Sequence, residues 1–295
     1  MATLRQIQRR IKSIQSTAKT TRAMSLVAGS KMRRAQQLAL AHRPYATELQ
    51  TMLSDVVESI SGAFDEESQL TLHPLLERRP NNTPGLLLIT PDRGLCGGLN
   101  TNLIRAATNF VAAHPNTKVI TVGRKGSDFF RRTRADVVGS FLKMPDYPTY
   151  EDALPIARLV MEDYTTGVFD SLTVIYPRYV NTVVQRVEAL EMLPVATPDS
   201  LESTPKTVEY IYEPDANSLL NTLMPRYVEI QVYRAVLELA ASEQSARMVA
   251  MRNATDAAQE MILQLTLVRN KLRQEQITKE LLDINGGVEA MAQAQ

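Results

Sequence analysis

The feature that most constrains this sequence is a stretch of sixty residues, from 226 to 285, that contains neither Gly nor Pro. A continuous helix over that stretch would be about 90 Å long, at 1.5 Å per residue. A compact globule of this chain length would measure only roughly 50 Å across. We therefore expect a helix that either projects from a globular body or is broken.

Two helical seams, one near each end of the chain, carry apolar or small residues at spacings of three and four. The first consists of Leu4, Ile7, Ile11, Ile14, Ala18, Thr21, Ser25, Ala28, Met32, Ala35 and Ala39. The second is predicted to consist of Met251, Ala254, Ala258, Met261, Leu265, Val268 and Leu272. This spacing is typical of a helix that packs against another helix. The sequence therefore predicts a long antiparallel coiled coil of the N- and C-terminal helices.

Three residues are expected to interrupt or end these helices. Pro44 predicts a kink or break in the first helix, because proline removes a backbone hydrogen bond. Gly286 and Gly287 predict the end of the second helix, since glycine commonly follows a helix C-terminus.

The middle of the chain alternates between short apolar runs and helical patterns. Strands are predicted at 85–90, 118–122, 135–139 and 171–176, an edge strand at 183–190, helices at 99–113 and 151–164, and loops at 62–84 and 194–214. Such alternation favours a Rossmann-like α/β domain with a largely parallel sheet. The overall class is therefore α+β or α/β. The predicted domains are an N-terminal coiled-coil helix at 1–60, an α/β globular domain at 61–215 and a long C-terminal coiled-coil helix at 216–295.

Composition excludes several classes of protein. Apolar residues make up 44% and charged residues 22%, which excludes wholesale disorder. The single cysteine, Cys96, excludes an intrachain disulfide and disfavours a cysteine-built zinc site. The three histidines show no metal-ligand spacing, and no apolar run approaches the roughly 18 residues of a membrane-spanning helix. We expect neither a metal nor a cofactor.

One glycine-rich loop, DRGLCGGLN at 92–100, follows the first predicted strand. Loops at this place in α/β folds often bind phosphate. The string matches neither the P-loop nor the dinucleotide fingerprint, so a nucleotide-binding enzyme remains a weak alternative. Cys96 is interpreted as a buried thiol rather than a nucleophile.

The beginning of the chain is strongly basic, with ten Lys or Arg residues before the first acidic residue, Glu48. Clustered cations are the electrostatic footprint of nucleic-acid binding. However, residues 1–44 contain no aromatic side chain on which a base could stack. A positive strip that meets an acidic protein partner explains the pattern equally well, and both interpretations stay open at this point.

Three strings together resemble the gamma subunit family of F-type ATP synthases. They are IKSIQSTAKTTRAMSLVAGSKMRR at 11–34, DRGLCGGLN at 92–100 and RMVAMRNATDAAQEMILQLTLVRNKLRQEQITKELLDINGG at 247–287. The resemblance covers the whole chain in order. It implies a non-catalytic central rotor shaft that couples proton flow through a membrane ring to ATP synthesis or hydrolysis in a catalytic head. The alternative is a coiled-coil nucleic-acid-binding protein that uses the basic N-terminal helix.

The same resemblance implies partners, a location and contact residues. The partners would be the alpha and beta subunits of the head, the epsilon subunit and the c-subunit ring, with no nucleic acid. The location would be the cytoplasmic side of a bacterial cell membrane, as a peripheral protein, since no transit peptide is recognised. The residues that match the family's contact positions with the head are Met24, Arg93, Arg273, Gln274, Thr278 and Glu280.

Overall fold

The computed structural model describes residues 3–61, 73–80, 82–195 and 215–293. The elements found there are α1 (Leu4–Ser61), β1 (Pro84–Ile89), α2 (Leu99–Ala113), β2 (Lys118–Val122), α3 (Arg124–Arg132), β3 (Val137–Phe141), α4 (Tyr150–Thr165), β4 (Ser171–Tyr179), β5 (Gln185–Leu193) and α5 (Ala216–Gln293). Most of the two predicted loops, at 62–72 and 196–214, lies outside the described residues.

The chain divides into two compact units. One, the helical unit, comprises Met1–Val27 and Met248–Gln295; the other, the sheet unit, comprises Ala28–Arg247. The helical unit therefore combines the beginning of α1 with the end of α5. The sheet unit contains the rest of both helices and all five strands.

The first predicted seam is confirmed within the helical unit. Between residues 4 and 27, the side chains that are not exposed are Leu4, Ile7, Ile11, Ile14, Ala18, Thr21 and Ser25. The Oγ1 atoms of Thr21 and Thr255 lie 2.7 Å apart in a buried hydrogen bond, and Ser25 Oγ donates to the carbonyl of Met248 over 3.2 Å. Because residue numbers rise in α1 as they fall in α5, the pairing is antiparallel. The predicted coiled coil is therefore present.

The second predicted seam is partly wrong. Met261 and Val268 are 50% and 46% exposed, whereas Ile262 and Arg269 are half-buried in their place. The actual seam is Met251, Thr255, Ala258, Ile262, Leu265, Arg269 and Leu272, in alternating steps of four and three. Val268 was predicted because it is apolar, but Arg269 takes its place because an arginine can bury its aliphatic stem while its charged end stays in water.

Neither Pro44 nor Gly286 ends its helix, so a break at Pro44 and a helix end at Gly286 are both wrong. Proline within a helix costs about 3 kcal/mol or more. The turns after it bury Leu49 against Ile230 and place Leu53 in the main core, and each such burial contributes about 1.5–3 kcal/mol. Gly286 does not adopt the positive φ that would turn the chain out of the helix.

The sheet unit contains one five-stranded sheet in the order β3-β2-β1-β4-β5. The first four strands are parallel, and β5 runs antiparallel to β4 at the edge. In this register, Leu87 lies opposite Ile120 of β2 and Val174 of β4. Every predicted strand is present, with some ends displaced by one to three residues. The predicted α/β class is confirmed.

The central strand β1 separates two apolar layers. Leu86 and Leu88 pack with residues of α2 and α3, while Leu87 and Ile89 pack with α4 and the first part of α5. All four side chains are fully buried. Such a strand reads as a continuous apolar run because both faces of the sheet are covered. The layering leaves the carboxyl ends of the parallel strands open for a loop cluster.

Candidate functional site

The outer surface of the helical unit carries many exposed apolar side chains. Those described are Met24, Leu26, Val27, Met261, Leu263, Leu267, Val268, Ile277, Leu281, Leu282 and Ile284. Leu263 and Leu267, one helical turn apart, are 68% and 71% exposed. None of these residues belongs to the seam, so the helix pair does not need them for its own packing. Exposed apolar side chains in this number indicate a surface that contacts another protein.

A basic strip accompanies this apolar surface on α1. Arg5, Lys12 and Lys19 recur every seven residues, each directly after a seam residue, and all three are exposed. No acidic residue occurs in 1–27. The strip therefore presents a positive field that attracts an acidic surface over a distance comparable with the Debye length, roughly 8–10 Å.

Four of the six predicted contact residues lie on the end of α5. Leu272 is the last seam residue, and the register of the Thr21–Thr255 bond places it opposite Leu4, where α1 begins. Arg273, Gln274, Thr278 and Glu280 follow it and are all exposed. This part of α5 thus extends beyond Leu4, the first residue of α1. Gln276 Nε2 donates to Glu280 Oε1 over 3.2 Å, which orients that carboxylate on the helix surface.

The other two predicted contact residues lie elsewhere. Met24, 40% exposed, is level with the beginning of the α5 seam, about 30 Å along the helix axis from Arg273 at 1.5 Å per residue. Arg93 is exposed and belongs to the sheet unit. The six residues therefore do not form one patch. Exposed Leu263 and Leu267 were not among the predicted contact residues, although apolar residues outside the seam spacing are a signal for such positions.

Two side chains at or beside the glycine-rich loop, 92–100, accept hydrogen bonds from the free backbone N–H groups at the beginning of α3. Asp92 Oδ1 accepts the backbone N–H of Arg124 over 2.8 Å, and Thr90 Oγ1 accepts that of Gly126 over 2.9 Å. These N–H groups open α3, where an α/β fold would hold a phosphate. Gly123, just before them, has φ +88°, and a Cβ there would lie 1.8 Å from the carbonyl oxygen of Thr90. The anion position at the beginning of α3 is therefore closed by the chain's own groups, whereas α2, the helix that follows the glycine-rich loop, begins without a side-chain cap.

A cavity of about 500 Å³ lies beside this loop, at the carboxyl ends of the parallel strands. Its charged lining residues balance in sign: Arg93, Arg124 and Lys143 against Asp92, Asp146 and Glu243. A lining with balanced charge creates no strong net field for a polyphosphate. The cavity has the place of a nucleotide site in an α/β fold but not its electrostatics.

Two titratable groups near the loop are Cys96, which is buried, and Glu243, which is half-buried. Burial raises the pKa of the Cys96 thiol, and the negative charge of Glu243 acts in the same direction. Burial also raises the pKa of Glu243, although its ion pair with Arg247 opposes the shift. Asn100 Nδ2 lies 3.2 Å from Cys96 Sγ. A protonated, buried thiol is a poor nucleophile, which agrees with the interpretation from the sequence.

Among the described residues, no three His, Cys, Asp or Glu side chains form a group that could hold a metal ion. Within the same residues, no helix is both long and apolar enough to cross a bilayer.

Comparison with known proteins identifies the family. The family model described as ATP synthase matches residues 3–291. The ATP synthase gamma chain of Dehalococcoides mccartyi is 48% identical over 99% of this chain and 100% of its own length. The gamma chain of Chloroflexus aurantiacus is 44% identical over 99% of each chain. These matches give no support to the nucleic-acid alternative.

Solved structures agree with the sequence matches. A chain from the central stalk and c-ring structure of the Tetrahymena thermophila mitochondrial ATP synthase is 28% identical, with a TM-score of 0.60 over 80% of this chain and 99% of that chain. A chain of the Euglena gracilis mitochondrial ATP synthase shares the fold, with a TM-score of 0.55 at 20% identity over 89% and 95% of the two chains. The paired helices, the α/β sheet and the full-length relatives thus lead to one conclusion: the chain belongs to the ATP synthase gamma-chain family.

Proposed function

We propose that this chain is the rotating central shaft of an F-type ATP synthase. It couples proton flow through a membrane ring to ATP synthesis or hydrolysis in a catalytic head. The observation that carries the proposal is the outer surface of the helical unit. Apolar side chains are exposed on a helix pair whose own seam is already filled. Burying that surface requires a protein that surrounds the helices.

The packing of the seam suits a shaft that transmits torque. The register of the Thr21–Thr255 bond places Ala18 opposite Ala258, and small residues let two helix backbones approach closely. A close-packed seam resists deformation, because protein interiors have low compressibility. Torque applied at one end of the pair is therefore carried to the other.

The two helices present different chemistry to their surroundings. The basic strip belongs to α1, whereas Leu263 and Leu267 belong to α5. A subunit that surrounds the pair meets a different surface after each part of a turn. A surface that binds one conformation of a partner better than another shifts the partner's equilibrium by that difference in affinity. As an asymmetric shaft rotates, each subunit of the head is therefore shifted through a series of conformations.

The proposed partners divide between the two units. The alpha and beta subunits of the head bind the helical unit, and Met24, Arg273, Gln274, Thr278 and Glu280 are the proposed contacts. The epsilon subunit and the c-subunit ring bind the sheet unit. The complex holds the chain on the cytoplasmic side of the cell membrane as a peripheral protein.

Arg93 is the proposed contact of the sheet unit with the head. Its guanidinium group is exposed at the glycine-rich loop, whose backbone is held by Asp92. The proposed division of labour along the chain is a shaft helix at 1–60, an α/β body at 61–215 and a second shaft helix at 216–295.

In this proposal the chain performs no chemistry itself. The amide groups that open α3 are occupied by Asp92 and Thr90, and Cys96 is buried. The catalytic groups therefore belong to the head, and the gamma chain supplies the moving surface.

The test isolates the intact complex through an affinity tag on this chain and measures its mass and its rate of ATP hydrolysis. We expect a multi-subunit complex that hydrolyses ATP. Replacing Arg273→Ala together with Gln274→Ala is expected to lower turnover or complex yield several-fold. A matched control, Arg105→Ala with Asn109→Ala, removes an exposed arginine and an exposed amide from α2 and is expected to change neither.

Two results would count against the proposal. Recovery of the chain alone, or on DNA from which salt releases it, would contradict the shaft function. Equal turnover in the two double variants would remove Arg273 and Gln274 from the interface.

A further inference from the structure

A second cavity, of about 370 Å³, lies within the sheet unit, between α1, the beginning of α4 and the first part of α5. Its volume falls in the lower range of ligand pockets, roughly 300–1,000 Å³. Its wall is mostly apolar and shares no residue with the cavity beside the glycine-rich loop. The proposed shaft function does not use it.

Aromatic rings form much of the wall. The ring centroid of Tyr233 lies 5.1 Å from that of His42 and 5.9 Å from that of Tyr150, with interplanar angles of 81° and 89°. Tyr45 also lines the cavity, and Ile230 adds an aliphatic surface. Ring edges and faces arranged in this way favour a flat aromatic body, since aromatic pairs prefer edge-to-face or offset contacts.

The two arginines of the wall differ in how well their charges are satisfied. The Arg226 guanidinium lies 4.4 Å from the ring centroid of Tyr150, donates to its hydroxyl group, and is 3.6 Å from the carboxylate of Glu229. Arg234, by contrast, has a buried Nε with no hydrogen-bond acceptor in the described part of the chain. A buried cationic donor without an acceptor is costly. Nε itself is out of a ligand's reach, but the rest of the Arg234 guanidinium group lines the cavity and is the cation that an incoming anion would meet.

One carboxylate in the wall limits the charge of that anion. Glu238 lines the same cavity, and its Oε2 accepts the backbone N–H of Tyr179 over 2.8 Å. A fixed negative charge in the wall repels a multiply charged ligand more strongly than a singly charged one. An arginine and a glutamate in one small cavity favour a ligand with a single negative charge, such as a monocarboxylate, over a polyphosphate.

We propose that this cavity binds a small aromatic monocarboxylate, with its ring against Tyr150, Tyr233 and Ile230 and its carboxylate on Arg234. None of the residues proposed to contact the head lines this cavity.

The test uses 2-naphthoate as the probe and the full-length purified chain, with binding measured by isothermal titration calorimetry. We expect saturable binding at one site and a rise in the melting temperature of the chain in the presence of the probe. The uncharged analogue 2-naphthamide is expected to bind at least about tenfold more weakly, because it cannot neutralise the guanidinium. This comparison requires no variant.

Two substitutions locate the site. Arg234→Gln is expected to weaken 2-naphthoate binding about tenfold, whereas Arg178→Gln, at an exposed arginine outside the cavity, leaves it unchanged. Ile230→Trp fills the cavity and is expected to abolish binding. If circular dichroism shows that Ile230→Trp has not folded, the proposal is tested by the relative affinities for 2-naphthoate and 2-naphthamide and by the Arg234→Gln variant.

Three results would overturn the proposal. The first is no saturable binding of 2-naphthoate to the unsubstituted chain, or binding at many equivalent sites. The second is equal affinity for 2-naphthoate and 2-naphthamide. The third is an Arg234→Gln variant that binds as tightly as Arg178→Gln.

Discussion

Two effects shift the pKa of the Glu243 carboxyl group in opposite directions. Burial raises its pKa, while the Arg247 guanidinium, which pairs with it and also donates to the carbonyl of Gly94 over 3.3 Å, favours the charged form. Burial is the larger of the two. The same carboxylate helps to keep the nearby thiol of Cys96 protonated. Arg247 therefore links α5 to the glycine-rich loop, and its ion pair with Glu243 offsets only part of the effect of burial on that carboxyl group.

The ionisation of Glu243 should make the stability of the folded chain depend on pH. Because the folded-state pKa of Glu243 is above its ordinary 4.5, its stabilising contribution is complete below that value and is lost as pH rises through the raised pKa. Glu243→Gln lacks this loss. We expect the melting temperature of the unsubstituted chain, relative to Glu243→Gln, to fall as the pH rises above 4.5. Exposed Glu151→Gln is the control, and a relative rise over the same range would contradict the assignment.

The reactivity of Cys96 provides a second test at this scale. Its thiol is 1% exposed with a raised pKa, so we expect a disulfide reagent to label the folded chain at least about 100-fold more slowly than the denatured chain. The absorbance of the released thiolate measures both rates. Cys96→Ser should remain unlabelled and leave ATP hydrolysis by the complex intact. Rapid labelling of the folded chain, or loss of activity in the variant, would restore a role for the thiol.

At the scale of whole elements, the seam between α1 and α5 changes in character along its length. Ile11 and Ile14 lie in its bulky part, whereas Ala18, Thr21 and Ala258 form its small part. In the small part, the hydrogen bond of Thr21 with Thr255 replaces apolar bulk as the contact between helices. Close approach there depends on the absence of larger side chains.

Overpacking this part of the seam should separate the helices. We expect Ala258→Leu to destabilise the helical unit by about 1–3 kcal/mol, since inserted methylenes force the backbones apart. Ala257→Leu makes the same chemical change on the exposed face of the same turn and should be nearly neutral. Amide hydrogen exchange of residues 4–27 measures both effects. Equal exchange in the two variants would show that the seam tolerates a larger residue.

At the scale of the whole molecule, the sheet unit has the strand order of a nucleotide-binding fold, but the backbone amides that open α3 are already hydrogen-bonded. The amide groups of Arg124 and Gly126 are bonded to Asp92 and Thr90. The charges around the neighbouring cavity balance in sign. Likeness of fold alone is a weak guide to activity, and here the local bonding argues against nucleotide chemistry.

The isolated chain is therefore expected to show no saturable ATP binding below about 1 mM. Isothermal titration calorimetry of the purified chain with Mg²⁺ and ATP measures this directly. Saturable binding in the micromolar range would support the alternative of a nucleotide-binding enzyme, and would require the Asp92–Arg124 bond to open.

Much of the fold was predictable because it depends on local periodicity. The seam from Leu4 to Ser25 follows from residue spacing alone, since a helix brings every third and fourth residue to one face. The strand around Leu87 was recognisable as an apolar run because both of its faces are covered. Of the candidate site, the exposed end of α5 at Arg273 was predictable only through the family resemblance.

By itself, the sequence determined the periodic elements and the basic character of α1, because both depend on residues that are close together in the chain. Tertiary structure alone decided that α1 continues through Pro44, where later turns are buried, and that Arg269 rather than Val268 enters the seam. It also decided that Arg234 lines a cavity while its Nε has no acceptor among the described residues. These outcomes depend on which surfaces meet across long sequence separations, and the energy of such contacts is not encoded in any local window.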